Sequence, residues 1–199
     1  MRLLRICAVW AASLSLAAAA VAQPPADRDQ LVARAVGYLD GLNDVKAAFH
    51  QTDQRGEAVD GTLWLARPGR ARFQYDPPSD MLITSDGRTV VVSDPRLRTF
   101  QRMPLSSTPL AVFLSDHIRL DRGVRIVRVD RTDGGFSITA ADAHGLAQGE
   151  LTLYFSDAPL RLLGWAIVDG AGRVTRVSLG PLTSVAQPPA DFFSQSRAG

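Results

Sequence analysis

A chain of 199 residues with 46% hydrophobic content is long enough to bury one sizeable core. Its 22 basic and 20 acidic side chains nearly balance, the arginines are scattered, and Lys46 is the one lysine. That pattern lacks the clustered positive charge that nucleic acid requires, and the single cysteine, Cys7, has no partner for a disulfide.

Arg2 and Arg5 precede an apolar run from Ile6 to Ala20 that closes on Ala20-Val21-Ala22, the pattern of a signal peptide cleaved after Ala22. The run is short and alanine-rich for a membrane span, and Cys7 within it lacks the small-residue surroundings of a lipidation site. An exported chain is the expectation, with residues 1–22 removed and residues 23–199 forming one domain that no linker divides. That domain carries 20 basic and 20 acidic residues.

Asp27 and Gln30 have capping-box spacing, and Leu31, Ala35, Tyr38, Leu39 and Leu42 recur at helical intervals, which predicts an opening amphipathic helix. After Gly41 the period changes, because Val45, Ala47 and Phe49 alternate with polar residues as in a strand. Short alternating segments then follow, divided by turn residues. These are Gly61 to Arg67, Arg70 to Asp76, Met81 to Ser85, Thr89 to Ser93 and Thr99 to Arg102, with turns at Pro68-Gly69, Pro77-Pro78, Asp86-Gly87 and Asp94-Pro95.

Between Pro104 and Asp116 the meander breaks. Thr108 suits a helix cap, Pro109 a first turn, and Leu110, Val112, Phe113 and Leu114 are apolar, so a short helix is predicted there. Strands resume at Val124 to Val129, Phe136 to Ala140, Glu150 to Phe155, Leu160 to Val168 and Val174 to Leu182. The connections are short, so the sheet is antiparallel. Ten or eleven strands exceed what a flat sheet tolerates, and the expected result is a mainly β, α+β domain whose curled sheet has a concave face.

Strand alternation puts Leu63, Leu65 and Arg67 on one face with Ala71, Phe73 and Tyr75 across the turn, and Thr62, Trp64, Arg70 and Arg72 on the other. A guanidinium on an apolar face has two outcomes. Either it finds acceptors such as the carbonyls of a helix end, or it lies at the rim and reaches water along its stem.

The run Gly61-Thr-Leu-Trp-Leu-Ala-Arg67-Pro68-Gly69-Arg-Ala-Arg-Phe73-Gln-Tyr75, followed by Pro77-Pro78, Ser85-Asp86-Gly87 and Thr108-Pro109-Leu110, resembles the outer-membrane lipoprotein carrier family, the periplasmic LolA proteins. The resemblance spans nearly the whole exported chain. It implies an incomplete antiparallel barrel of about eleven strands with a helical lid over an apolar cavity. It implies that Arg67 latches the lid through its backbone, and that Phe49, Leu63, Leu65, Phe73, Tyr75, Leu110, Phe113 and Leu114 bind acyl chains. The implied partners are acylated lipoproteins, an inner-membrane ABC-type releasing complex and an outer-membrane lipoprotein receptor, in the periplasm, without cofactor, and for a monomer. Two features depart from the family pattern: Ala71 stands where others carry a bulkier group, and the chain stops soon after Asp191-Phe192-Phe193.

Catalysis is not expected. His50, His117 and His144 lack zinc-ligand spacing, there is no Gly-x-Ser-x-Gly elbow or phosphate-binding glycine loop, and Glu57 and Asp60 are placed in a solvated hairpin loop. Trp64 and Trp165 read as packing on one sheet face and not as a ligand box. Other readings of the same curled sheet are a carrier of free lipid or glycolipid, and a lipid-sensing regulator.

Overall fold

The structure is a computed structural model that describes residues 25–108, 111, 114, 124–143 and 148–195. The signal segment, Leu110, Val112, Phe113, His117 and His144 lie outside the described residues. The chain opens with α1 (Pro25–Asp40). A meander follows, β1 (Asp44–Thr52), β2 (Ala58–Ala66), β3 (Arg70–Tyr75), β4 (Leu82–Asp86), β5 (Thr89–Asp94) and β6 (Thr99–Pro104). A 3-10 turn (Leu105–Ser107) leads to the segment in which Ala111 and Leu114 are helical. A second meander comprises β7 (Val124–Thr132), β8 (Gly135–Asp142), β9 (Gly149–Asp157), β10 (Leu160–Asp169) and β11 (Val174–Leu179). The short β12 (Thr183–Ser184) and a 3-10 turn (Ala190–Phe193) complete it.

The antiparallel strands form one sheet in the order β6-β5-β4-β3-β2-β1-β11-β10-β9-β8-β7, with β12 also pairing β1. Among the described residues β6 and β7 are not paired, so the barrel is incomplete. Strand spacing of ~4.8 Å would put β3 and β10 about 19 Å apart in a flat sheet. The rings of Phe73 and Trp165 on those strands nevertheless lie 6.0 Å apart, which requires the sheet to curl.

Two local expectations are corrected. The opening helix begins at Pro25, so Asp27 lies in its first turn and its carboxylate pairs with Arg131. Asp60 is a strand residue opposite His50, and the two side chains bond at 2.8 Å on the exposed face. Thr108 is extended, as a residue preceding a helix is, its carbonyl accepts from the Ala111 N–H at 3.0 Å, and its hydroxyl donates back to the Leu105 carbonyl at 2.8 Å.

On the convex face the ladder registers align Lys46, Trp64, Arg72, Thr84, Val91 and Arg102 in one row across β1 to β6. The C-terminal 3-10 turn crosses this row. Phe192 packs edge-on to Trp64 at 5.3 Å and under the Arg72 guanidinium at 4.5 Å. Phe193 is fully buried beside Arg70, and the Gln195 amide donates to the Thr84 hydroxyl at 3.0 Å. Shielding by this segment explains why Thr84 and Val91 are buried on an outward face.

Candidate functional site

The concave face grows directly from strand alternation. Leu63 and Leu65 on β2, Ala71, Phe73 and Tyr75 on β3, and Val45, Ala47 and Phe49 on β1 are all buried. Their registers place Ala47 opposite Leu63 and Leu63 opposite Phe73, so the small and large side chains form continuous rows. Phe49 meets Tyr75 at 5.0 Å and Phe73 at 5.8 Å, both edge-to-face, and Phe73 meets Trp165 in the same way. Gly61 makes this possible, because a Cβ there would lie 2.6 Å from Phe49 Cζ and 2.4 Å from the Gln74 carbonyl.

Tyr75 is the polar exception. Its hydroxyl donates to Gln51 Oε1 at 2.8 Å, and burial pushes its pKa up to about 12 despite that bond. The opposite wall carries Phe136 stacked on Phe155 at 5.1 Å, with Ile138, Leu151, Leu153 and Leu162.

α1 lies in this concavity. Leu31, Ala35, Leu39 and Leu42 are buried along one stripe, and Tyr38 packs edge-on to Phe155 at 6.2 Å. Leu114 is buried in the same core.

The β2–β3 turn touches both coverings. Arg67 Nη1 donates to the Leu39 carbonyl at the end of α1, Nη2 lies 3.4 Å from Asp40, and the side chain is only 5% exposed. Two residues on, the Gly69 N–H donates to the Leu114 carbonyl at 2.7 Å, while the buried Ser85 hydroxyl donates to the Gly69 carbonyl. Gly69 has φ of +76° and its Cα faces Gly87, so a side chain there would meet backbone at 2.6 Å. Carbonyls at a helix end have no partner within the helix, which makes them ready acceptors for a guanidinium.

Of the sequence-derived residues, the structure brings Phe49, Leu63, Leu65, Phe73, Tyr75 and Leu114 into one apolar core, with Arg67 at its edge. Leu110 and Phe113 fall outside the described residues. Trp165 joins the concave cluster while Trp64 sits on the convex side, so the two tryptophans do not share a face. The bulge between Leu162 and Gly164 shifts the alternation of β10 and is what turns Trp165 inward. Tyr38 and Phe155 were missed as site residues, although Tyr38 lies on the apolar stripe of the helix.

A family model described as "Outer membrane lipoprotein carrier protein LolA" matches residues 40–196. An outer-membrane lipoprotein carrier protein of Methylibium petroleiphilum is 28% identical over 194 residues, covering 93% of this chain and 91% of its own. The protein of that name from Azotobacter vinelandii is 27% identical, covering 89% and 86%. Among solved structures, a DUF1329 family protein of Desulfovibrio piger superposes with a TM-score of 0.51 at 11% identity, over 86% of this chain and 98% of that one. It shares the fold. A LolA superfamily protein of Nitrosomonas europaea gives a TM-score of 0.46 at 10% identity, over 82% and 97%.

Proposed function

Because the chain belongs to the outer-membrane lipoprotein carrier family, we propose that it is a periplasmic carrier that shelters the acyl chains of lipoproteins between the inner and outer membranes. Residues 1–22 direct its export and are removed. The observation that carries this reading is the apolar concave face covered by α1, with the buried Arg67 bonded to the helix end.

An acyl chain of about sixteen carbons loses roughly 12 kcal/mol on exposure to water, at ~0.8 kcal/mol per methylene. A carrier must supply comparable apolar surface and still give the cargo up. The cover does both. α1 occupies the concave face when the protein is empty, the acyl chain takes its place against Leu63, Leu65, Phe73 and Tyr75, and reclosure drives the chain out. Arg67 sets the balance, because its bonds to Leu39 and Asp40 exist only with the cover shut. Closed and open states then differ by a few kcal/mol, which is within reach of cargo binding. Loading occurs at an inner-membrane ABC-type complex and unloading at an outer-membrane acceptor. The role is transport without catalysis.

The test compares wild type with Arg67→Leu by native mass spectrometry after mixing with vesicles whose lipoprotein-releasing complex is energised. A one-to-one complex with an acylated protein, accumulating in the variant, is the expected result. Normal hand-over by the variant removes the latch, and recovery of free lipid alone replaces the lipoprotein cargo with a lipid one.

A further inference from the structure

α1 is tied unevenly along its length. In its N-terminal half the Asp27 carboxylate accepts from Arg131 Nε at 2.9 Å and Nη2 at 2.6 Å. Arg34 pairs with the Asp157 carboxylate at 2.6 Å and donates to the Asp157 carbonyl at 3.2 Å, and Arg131 also reaches Asp157 at 3.5 Å. Arg28 donates to the Ile126 carbonyl of β7 at 3.1 Å. At the C-terminal end the helix meets Arg67.

The two ends differ in what separation does to solvation. Arg131 and Asp27 already stand partly in water, at 44% and 25% exposure, so parting them loses contacts and adds little hydration. Arg67 is 5% exposed, and leaving its site returns a buried guanidinium to water, which offsets the bonds it gives up. Gly37 lies between the Arg34 tie and the last turn of the helix, three residues before its end at Asp40. A glycine weakens a helix interior, and an added Cβ there would meet nothing within 4 Å, so packing does not require it.

The last turn of α1 also borders a groove of about 420 Å³, lined by Tyr38, Arg161, Leu162, Leu163, Leu179 and Leu182 among others. Leu162 belongs to the core under α1, and Tyr38, Leu179 and Leu182 pack against that core, so the groove borders the core on its outer side. The β10 bulge leaves Leu163 47% exposed at its lip.

We propose that the acyl chain of the cargo enters through this groove, between the last turn of α1 and the β10–β11 end of the sheet. The helix hinges near Gly37, and the part before it stays stapled to β7 and to Asp157. A groove walled by four leucines and bordering a core of leucines and aromatic rings suits an unbranched hydrocarbon, and Arg161 in its wall suits the polar end of such a chain. The inference rests on the carrier reading and adds the route.

Cross-linking separates the two ends. In the chain from Gln23 onward, which carries no cysteine, the pairs Tyr38→Cys with Leu182→Cys and Asp27→Cys with Arg131→Cys are each bridged by one short bis-maleimide. Uptake of a triacylated lipopeptide from detergent micelles is then followed by native mass spectrometry. The 38–182 bridge lowers uptake at least about tenfold relative to the same variant before bridging, and the 27–131 bridge leaves it within about twofold. Equal effects of the two bridges, or the reverse order, overturn the route. Gly37→Ala slows uptake several-fold at unchanged stoichiometry, and an unchanged rate overturns the hinge. If the unbridged wild type takes up no lipopeptide, the carrier reading falls and the route with it. Uptake by the wild type with the wrong bridge blocking sinks the route alone.

Discussion

The sheet has a cover on each face, and the two are made of opposite materials. Inside, α1 lays Leu31, Ala35 and Leu39 against aliphatic and aromatic side chains, and its polar ties, at Asp27, Arg28, Arg34 and the Leu39 carbonyl, lie off that stripe. Outside, the C-terminal segment is pinned at Phe192, Phe193 and Gln195. Arg72 donates to the Phe192 carbonyl at 3.0 Å, and the Gln195 amide also reaches the Leu82 and Val91 carbonyls. Hydrocarbon contacts are non-directional, so an acyl chain can replace an apolar helix with similar contacts. Directional bonds to particular strand carbonyls offer no such exchange. On the proposed carrier reading, the inner cover yields at its latch while the outer one stays.

The largest effect is expected at the outer cover. Phe193 is fully buried yet lies outside the concave core, so Phe193→Ala should cost about 3–5 kcal/mol in urea unfolding while lipopeptide uptake persists. A loss below about 1 kcal/mol would show that the outer segment does not hold the sheet, and the contrast between covers would collapse.

The concave wall offers a second measure. Tyr75 ionises near 10 in the unfolded chain and only at about 12 when folded. Its neutral form is therefore favoured by folding, and that contribution is intact below pH 10 and lost as the pH rises from 10 through 12. The wild type should lose on the order of 2–3 kcal/mol across that window, and Tyr75→Phe should lack this slope. Parallel urea midpoints for the two proteins would mean that water reaches Tyr75 in the closed state.

The smallest effect belongs to the stapled end of α1. The hydrogen bond from Arg131 holds the Asp27 carboxyl below its ordinary value of 3.8, against the opposing effect of desolvation. A depressed pKa stabilises the fold above 3.8, and the contribution fades as pH falls through the folded value. Amide exchange in the first turns of α1 should accelerate below pH 4 in the wild type and show no such dependence in Asp27→Asn. Equal acid sensitivity in both would assign the tie to other groups.

What the sequence made legible follows from periodicity. Alternation in β2 and β3 identified Leu63, Leu65, Phe73 and Tyr75 as one face, and the helical stripe identified α1, because both signals are local. Arg67 was visible as an anomaly on an apolar face, but its acceptor was not, since Leu39 is 28 residues away and it is the pairing of β1 with β2, which sets Arg67 beside Asn43, that brings it near. Trp64 read as sheet packing, and Arg70 and Arg72 as the face away from the core. Their role in holding Phe192 and Phe193 depends on a segment about 120 residues further on, which carries no alternation of its own. The Asp27–Arg131 pair, 104 residues apart, was hidden for the same reason. Trp165 was misplaced by a one-residue bulge, which alternation cannot register.

The strand order has a consequence for how the chain is made. Along the main order each neighbouring pair is consecutive in sequence except β1 with β11, where Phe49 meets Leu179 across about 130 residues. Two self-templating ribbons therefore zip up locally, and a single distant seam unites them, at the entropic cost of closing a long loop. A chain made amino end first displays one edge of β1, with Val45, Ala47 and Phe49 beside it, until β11 arrives near its other end. For that interval the unpaired edge is open to pairing with another chain.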